Sequence, residues 1–412
     1  MVEIGYHSMS ALPCEPPVTH HLEPARTILR DSGRTDAWFL ARYGMNLYRG
    51  CQHGCAYCDG RAERYRVSGD FARDIVVKSN ALSLLRGELR RLPEPGFVFL
   101  GGGVSDAWQP AEIDYRLARG ALELLLERGL PVHLLTKSAL VERDFDLLVD
   151  IHRKSRAIVS FSIQCLDDRL RQRFEPGASS IAERFRVLEA AKARGLVTGV
   201  MAMPVLPGIS DQPRAIEALL ARAADAGVDF VLWSGLTLRP GIQKKTMIDA
   251  VQHHDPALVP GYEQTYAADQ PSGGADPRYY RRLEDRFRRA LERRGLPDRV
   301  PRAVFAGLVP QHVEAAVLLE HRQAALARRG QRAPWLGRGG AELQRWAQGR
   351  LRAQGRRRVS QGWQQVEQRF RELVDRDELG SIRDLDPRTV PEIHRAVAAM
   401  PPPRGQAQLS LL

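Results

Sequence analysis

The chain has 412 residues, 43% hydrophobic and 27% charged, enough for one large α/β domain with smaller additions around an ample core. No uncharged apolar run is long enough to span a bilayer, and the first thirty residues hold no apolar signal core, so a membrane location is excluded and a cytoplasmic one expected. Five cysteines (Cys14, Cys51, Cys55, Cys58, Cys165) are too few for a disulfide framework, and a formal charge of +12 predicts an anionic partner such as nucleic acid, although an arginine-rich composition explains part of it.

In chain order, a strand is expected just before Cys51. A helix capped by Asn80 follows, with Leu82, Leu85, Leu89 and Leu92 on one face, and it leads to the strand "FVFLGGG". A helix over 111–128 leads to "PVHLLTKS", and one over 142–152 leads to "AIVSFSIQ". Two more rounds run through "GLVTGVMAMPVLPG" and "FVLWSGLTLRPG". Six alternating βα units are too few for an eight-fold barrel and predict an α/β fold, a partial (β/α)6 TIM-type barrel; a doubly wound sheet is the alternative. In such barrels the chemistry sits at the C-terminal ends of the strands.

The expected organisation is an N-terminal extension over 1–40, the barrel over 41–245 and a helical segment closing it over 246–328. A basic helical extension over 329–400 and a flexible tail over 401–412 follow. Between Arg322 and Arg358 there are eleven arginines and one acid, Glu342, with Trp335 and Trp346 among them and Trp363 just beyond. Arginine with interleaved tryptophan suits phosphate contact and base stacking; a solvated helical surface with packed tryptophans is the plainer alternative.

The stretch "NLYRGCQHGCAYCDGR" spaces Cys51, Cys55 and Cys58 as C-x3-C-x2-C. Three thiolates leave one iron of a four-iron cluster open, whereas zinc would need a fourth ligand, His53 or a distant group. With Tyr57 directly before the last cysteine, the stretch resembles the signature of the radical S-adenosylmethionine (SAM) superfamily. Together with "GGGVSDAWQPAE", "TKSALVERDFDLL", "FEPGASSIAERF" and "MPVLPGISD" it is similar to the relatives of spore photoproduct lyase, the DNA-repair photolyase homologues, over roughly residues 25 to 328.

The resemblance implies a [4Fe-4S] cluster on Cys51, Cys55 and Cys58, with S-adenosyl-L-methionine on the open iron, cleaved to a 5′-deoxyadenosyl radical by an electron from an external donor. It places Tyr57 near the adenine, lets Gly101, Gly102 and Gly103 approach the SAM amino group, and sets Ser105 among the SAM contacts. It makes Lys137 the partner of the SAM carboxylate and puts Ser160 and Ser162 beside the ribose. Glu175 and Pro176 are read as organising their loop. The lyase has a cysteine where this chain has Gly103, so its substrate does not carry over, and Cys165 is a weak substitute as hydrogen donor. The expected activity is hydrogen abstraction from a damaged or modified nucleic acid, with DNA favoured. A peptide, small-molecule or cofactor substrate, or a non-catalytic cluster protein, is the alternative. Gln408, Leu409, Leu411 and Leu412 of the terminal "QLSLL" resemble a sliding-clamp docking motif.

Overall fold

A computed structural model describes residues 17–101, 104–353 and 359–400. Six parallel strands form the main sheet: β1 (Ala41–Met45), β2 (Phe97–Leu100), β3 (Val132–Thr136), β4 (Ala157–Ser162), β5 (Val197–Val205) and β6 (Phe230–Gly235). They lie in sequence order, with Leu29–Asp31 antiparallel on the outer edge of β1. The register runs through Val98 beside Val132, Leu134 beside Val159, Phe161 beside Val200 and Val200 beside Val231. The strands are short apolar runs because both faces are covered; all six residues of β4 are buried.

The helices that alternate with them are α1 (Ala81–Leu89), α2 (Leu117–Arg128), α3 (Phe145–Lys154), α4 (Ile181–Ala193), α5 (Pro213–Asp225) and α6 (Pro277–Arg294). A sheet in sequence order with helices on its connections is the expected partial (β/α)6 barrel and not a doubly wound sheet, which would reverse strand order. A second sheet of Thr19–Glu23, Asp74–Lys78 and Tyr48–Arg49 flanks the cysteine loop.

Two local readings are corrected. Asn80 precedes α1 but does not cap it; its side-chain amide instead exchanges hydrogen bonds with the backbone of Ala25, at 2.7 and 3.0 Å. The helix expected over 111–128 is two, Glu112–Tyr115 and α2, with Arg116 between them at φ 50°. The break is set by the buried Glu112. Its carboxylate accepts the N–H groups of Ala118 and Arg119 at the start of α2, as well as the Tyr48 hydroxyl and the Arg143 guanidinium.

The N-terminal ends of the strands form the floor. Phe97, Val197 and Phe230 open their strands and, with Ile158, pack against Val300, Val304, Phe305, Val313 and Val317. Helix α7 (Gln311–Arg328) therefore belongs to the floor, and its other side packs onto α8 (Pro334–Ala353) and α9 (Val359–Asp375) through Leu319, Leu336, Leu343 and Phe370. Trp363 is buried, and Trp335 and Trp346 are partly buried against that cluster, with Arg388 and Arg350 over their rings at 5.4 and 5.2 Å. The tryptophans of the basic extension thus pack against the helical cluster, as in the plainer of the two readings.

Above the floor, His133 fills the barrel interior, its Nδ1 2.8 Å from the Phe39 carbonyl and its Nε2 2.8 Å from Ser160 Oγ. Burial pushes its imidazole down to about 4 from the ordinary 6.5. Between those values the unfolded chain binds the proton and the folded one does not, so stability is full above about 6.5 and falls as pH falls toward 4. The expected loss from this one group is about 3 kcal/mol by pH 4. Urea midpoints compared near neutral pH and in this acid window should show it, and His133→Gln should flatten the slope.

Candidate functional site

The cysteine loop leaves the small sheet at Gly50, where φ is 78° and the Asp74 carbonyl oxygen lies 2.8 Å from where a Cβ would stand, so a side chain is excluded. Backbone bonds then shape it: Cys51 N–H donates to the Phe71 carbonyl, Ala56 N–H to the Phe174 carbonyl and Cys58 N–H to the Cys55 carbonyl. Arg61 clasps the loop from behind, donating to the carbonyls of Cys55 and Gly54 at 2.8 and 2.9 Å. With main-chain groups satisfied this way, Cys51, Cys55 and Cys58 all line one cavity of about 370 Å³ at the C-terminal ends of the strands.

Tyr57, Gly101, Ser105, Lys137 and Ser162 line the same cavity. Gly101 has φ 131°, and a Cβ there would lie 2.2 Å from the Leu135 carbonyl oxygen, so only glycine lets β2 end against β3. Ser105 donates to the Tyr48 carbonyl at 3.2 Å and Ser162 to the Met203 carbonyl at 2.8 Å. Ser160 is not in the cavity. It shares the inward face with Ser162 but sits two residues nearer the floor, where His133 engages its hydroxyl. Gly102 and Gly103, and Gln408, Leu409, Leu411 and Leu412, lie outside the described residues. Cys165 is buried away from the cavity, donating to the Asp167 carbonyl at 3.6 Å, and burial pushes its thiol up to about 12. That position gives it no geometry for a hydrogen donor.

Behind the cysteines is a buried charged network that the sequence did not display. The Tyr57 hydroxyl donates to Glu175, and Arg184 donates to the other Glu175 oxygen and to the Ser162 carbonyl at 2.8 Å. Burial would raise the Glu175 carboxyl, but Arg184, Lys137 and the Tyr57 hydroxyl outweigh it and hold it below the usual range. Burial likewise opposes the Lys137 charge, yet Cys55, Glu175 and Cys58 outweigh it and hold its ammonium above the ordinary value. Burial pushes the free thiols up, Cys55 to about 12, while Lys137 pulls the other way. The Lys137 cation beside Cys55 and Cys58 favours these two as thiolates, which is the form that ligates iron.

Asp106 fixes the opposite wall, accepting from the Thr136 hydroxyl and from the backbone N–H groups of Lys137 and Trp108, each at 2.8 Å. His53, the sequence's possible fourth zinc ligand, has its Nδ1 3.4 Å from Asp106. Among the described residues no three His, Cys, Asp or Glu side chains converge on one ion. Three thiols that share a cavity without converging suit a cluster in which each ligates a different iron. Gln243 ties the far rim together, donating to the carbonyls of Tyr57 and Thr237 at 3.0 and 2.9 Å and accepting the Arg239 N–H at 2.8 Å. Arg184 and Gln243 sit on helices, where a polar residue ordinarily reads as solvent-facing, so only the tertiary structure reveals them. Glu175, read as organising its own loop, instead joins Tyr57 of the cysteine loop to Arg184 of α4.

The radical SAM superfamily matches residues 45–220 of the chain. An uncharacterised protein of Mycobacterium tuberculosis is 34% identical over 229 residues, which cover 55% of this chain and 67% of that protein. One from Methanocaldococcus jannaschii is 30% identical over 172 residues, covering 42% and 63% respectively. The fold is similar to that of a spore photoproduct lyase variant solved with bound AdoMet and dinucleoside spore photoproduct, with a TM-score of 0.50 and 17% identity over 66% of this chain and 79% of that one. With the cysteine loop, the partial barrel and the match in agreement, the chain belongs to the radical SAM superfamily, whose members use a [4Fe-4S] cluster and S-adenosylmethionine.

Proposed function

We propose that this protein directs radical SAM chemistry at nucleic acid, with DNA favoured over RNA, in a reaction of the repair or modification kind. When bound, the cluster and SAM supply the electron and the 5′-deoxyadenosyl group with which hydrogen is abstracted. The chain's own residues do the rest. Cys51, Cys55 and Cys58 hold the cluster, Lys137 pairs with the SAM carboxylate, and Tyr57, pinned by Glu175 and Gln243, offers its backbone to the adenine. Ser105 and Ser162 add hydroxyls on the cavity wall. An external electron donor completes the set.

The observation that carries the nucleic-acid reading is helix α6. It has eight arginines against three acids, and the segment leading into it is tied by the Gly273 carbonyl to the N–H of Leu238, the residue after Thr237 of the cavity lining. Tyr279, Leu283, Phe287 and Leu291 bury its inner face, Phe287 stacking on Trp233 of β6 at 4.7 Å. Arg282, Arg286, Arg289 and Arg293 line a groove of about 360 Å³ against α5. Spaced at i, i+4, i+7 and i+11, they share one face as a stripe; Arg286 and Arg293 are paired with Asp211 and Glu217, which leaves Arg282 and Arg289 as the guanidiniums that suit a phosphate backbone. Docking of the terminal Gln408, Leu409, Leu411 and Leu412 on a sliding clamp is a further proposal that rests on the sequence alone.

Deuterium transfer tests the substrate. Reconstituted protein with dithionite, SAM and deuterated DNA should yield labelled 5′-deoxyadenosine; label arising only from peptides or small molecules would favour a substrate of that class. The basic stripe has its own test. Arg282→Ala and Arg289→Ala, both exposed and away from the cysteines, should weaken DNA binding at all sequences and lower the slope of log K against log salt by about 1 each. A slope unchanged by both substitutions would remove the stripe from the interface.

A further inference from the structure

A second cavity, larger than the one that holds the cysteines, opens elsewhere in the fold. It is a cleft of about 870 Å³ at the seam of the open barrel, between β6, the segment entering β1, and helix α7. Trp38 and Trp233 face this cleft, while Phe39 and Ser234, their next neighbours in the chain, face the cofactor cavity. One thickness of backbone therefore separates the two spaces.

Tyr280, 39% exposed, extends the aromatic wall beside Trp233 at 5.8 Å between ring centres. The Arg299 guanidinium lies over the Trp38 ring at 5.7 Å. Several of the cleft's acids are already engaged. Asp36 accepts three backbone N–H groups, from Trp38, Phe39 and Ala41; Asp285 pairs with Arg288 at 3.1 Å and Asp298 with Arg328. Arg34 and Arg332 have no hydrogen-bond or ion-pair partner among the described residues, nor do the carboxyls of Glu284 and Glu320, and the buried Trp38 Nε1–H has no acceptor. Flat aromatic faces suit a base, an unmatched donor and acceptor suit its edge, and the Arg332 guanidinium, together with that of Arg34 beside Asp36 and Glu320, suits a phosphate.

We propose that the cleft is a second, non-catalytic site for a nucleotide unit, with its base against Trp233 and Tyr280 and its phosphate on Arg34 and Arg332. The proposal rests on the nucleic-acid reading above and adds a place where that ligand is held one wall away from the cofactor. A nucleotide unit comes either free or within a strand, and both sources share this chemistry.

Full-length protein is titrated with a fluorescein-labelled single-stranded oligodeoxynucleotide, followed by anisotropy, and with deoxynucleoside monophosphates, followed by calorimetry. Tyr280→Ala should weaken binding about tenfold or more, Tyr280→Phe should retain it, and Arg332→Ala should lower the salt slope by about 1. Binding of the strand alone identifies a strand as the occupant, and equal sensitivity with monophosphates identifies free nucleotide. 5′-Deoxyadenosine formed without nucleic acid should be the same in Tyr280→Ala as in the parent protein. The proposal is overturned if neither ligand binds, or if both substitutions leave binding unchanged. If binding is unchanged while deuterated DNA still labels 5′-deoxyadenosine, the cleft falls and the substrate reading stands; if the cleft binds a strand and no nucleic acid yields label, the substrate reading falls and the cleft stands.

Discussion

Cys55→Ala is expected to abolish 5′-deoxyadenosine formation and to lower the iron retained after anaerobic reconstitution. On the proposed assignment each of the three thiolates serves a different iron, so two cannot replace the third. The fold should survive, because the Cys55 contributions to its loop come from the main chain: its carbonyl accepts from Arg61 at 2.8 Å and from Cys58 N–H at 3.3 Å. Unchanged far-ultraviolet circular dichroism together with lost turnover would locate the defect in the cluster. Cys165→Ala is the matched control. Its thiol lies outside the cavity, so turnover should persist. Parental amounts of 5′-deoxyadenosine from Cys55→Ala would remove the cluster assignment.

Arg184→Met should cost about 3–5 kcal/mol, because it leaves the Glu175 carboxylate buried without its ion-pair partner. Both side chains are fully buried, and Arg184 also holds the carbonyls of Ser162 and Ser179, at 2.8 and 2.9 Å. The loss should appear as a lower urea midpoint. The double variant Glu175→Gln, Arg184→Met should be less destabilised than the sum of its single variants, since the stranded charge is gone. Strict additivity would mean that the two side chains act independently. The pH dependence follows from the depressed Glu175 carboxyl: the unfolded chain takes up the proton first, so the contribution is complete above the ordinary glutamate range and is lost as pH falls through the folded value. Because Glu175 accepts the Tyr57 hydroxyl, the same substitution should disturb the residue between Cys55 and Cys58 and weaken SAM binding.

Much of the barrel was legible because its signals are local. Runs such as "AIVSFS" are apolar throughout when both faces are covered, and helices betray themselves by an apolar stripe. Local signals also misled. Asn80 has the chemistry of a cap, but the Ala25 backbone, 55 residues away, offers its amide both a donor and an acceptor. Nothing in "EIDYRLARG" announces the break at Arg116, which exists because Glu112 is drawn inward by Tyr48 and Arg143. Ser160 and Ser162 share a face by the two-residue period of a strand, and that period carries no information about depth. Tryptophans among arginines are compatible with stacking on bases or with packing on a core, and the choice depends on α7, α8 and α9 meeting.

The sequence by itself put three cysteines on one loop, and its resemblance to the radical SAM signature implied the cofactor chemistry, because such a loop keeps its thiols together wherever it is placed. It also determined the six parallel strands of the barrel, each written in consecutive residues, but not the edge strand Leu29–Asp31 or the small second sheet, which exist only through pairing. Only the tertiary structure decided which charges stand behind the cysteines. Arg184 and Glu175 are nine residues apart and Gln243 reaches Tyr57 across 186, and no local pattern encodes a contact made by chain closure. The seam cleft is decided the same way, by the segment before β1, edge strand β6 and helix α7, elements that meet only when the barrel is formed.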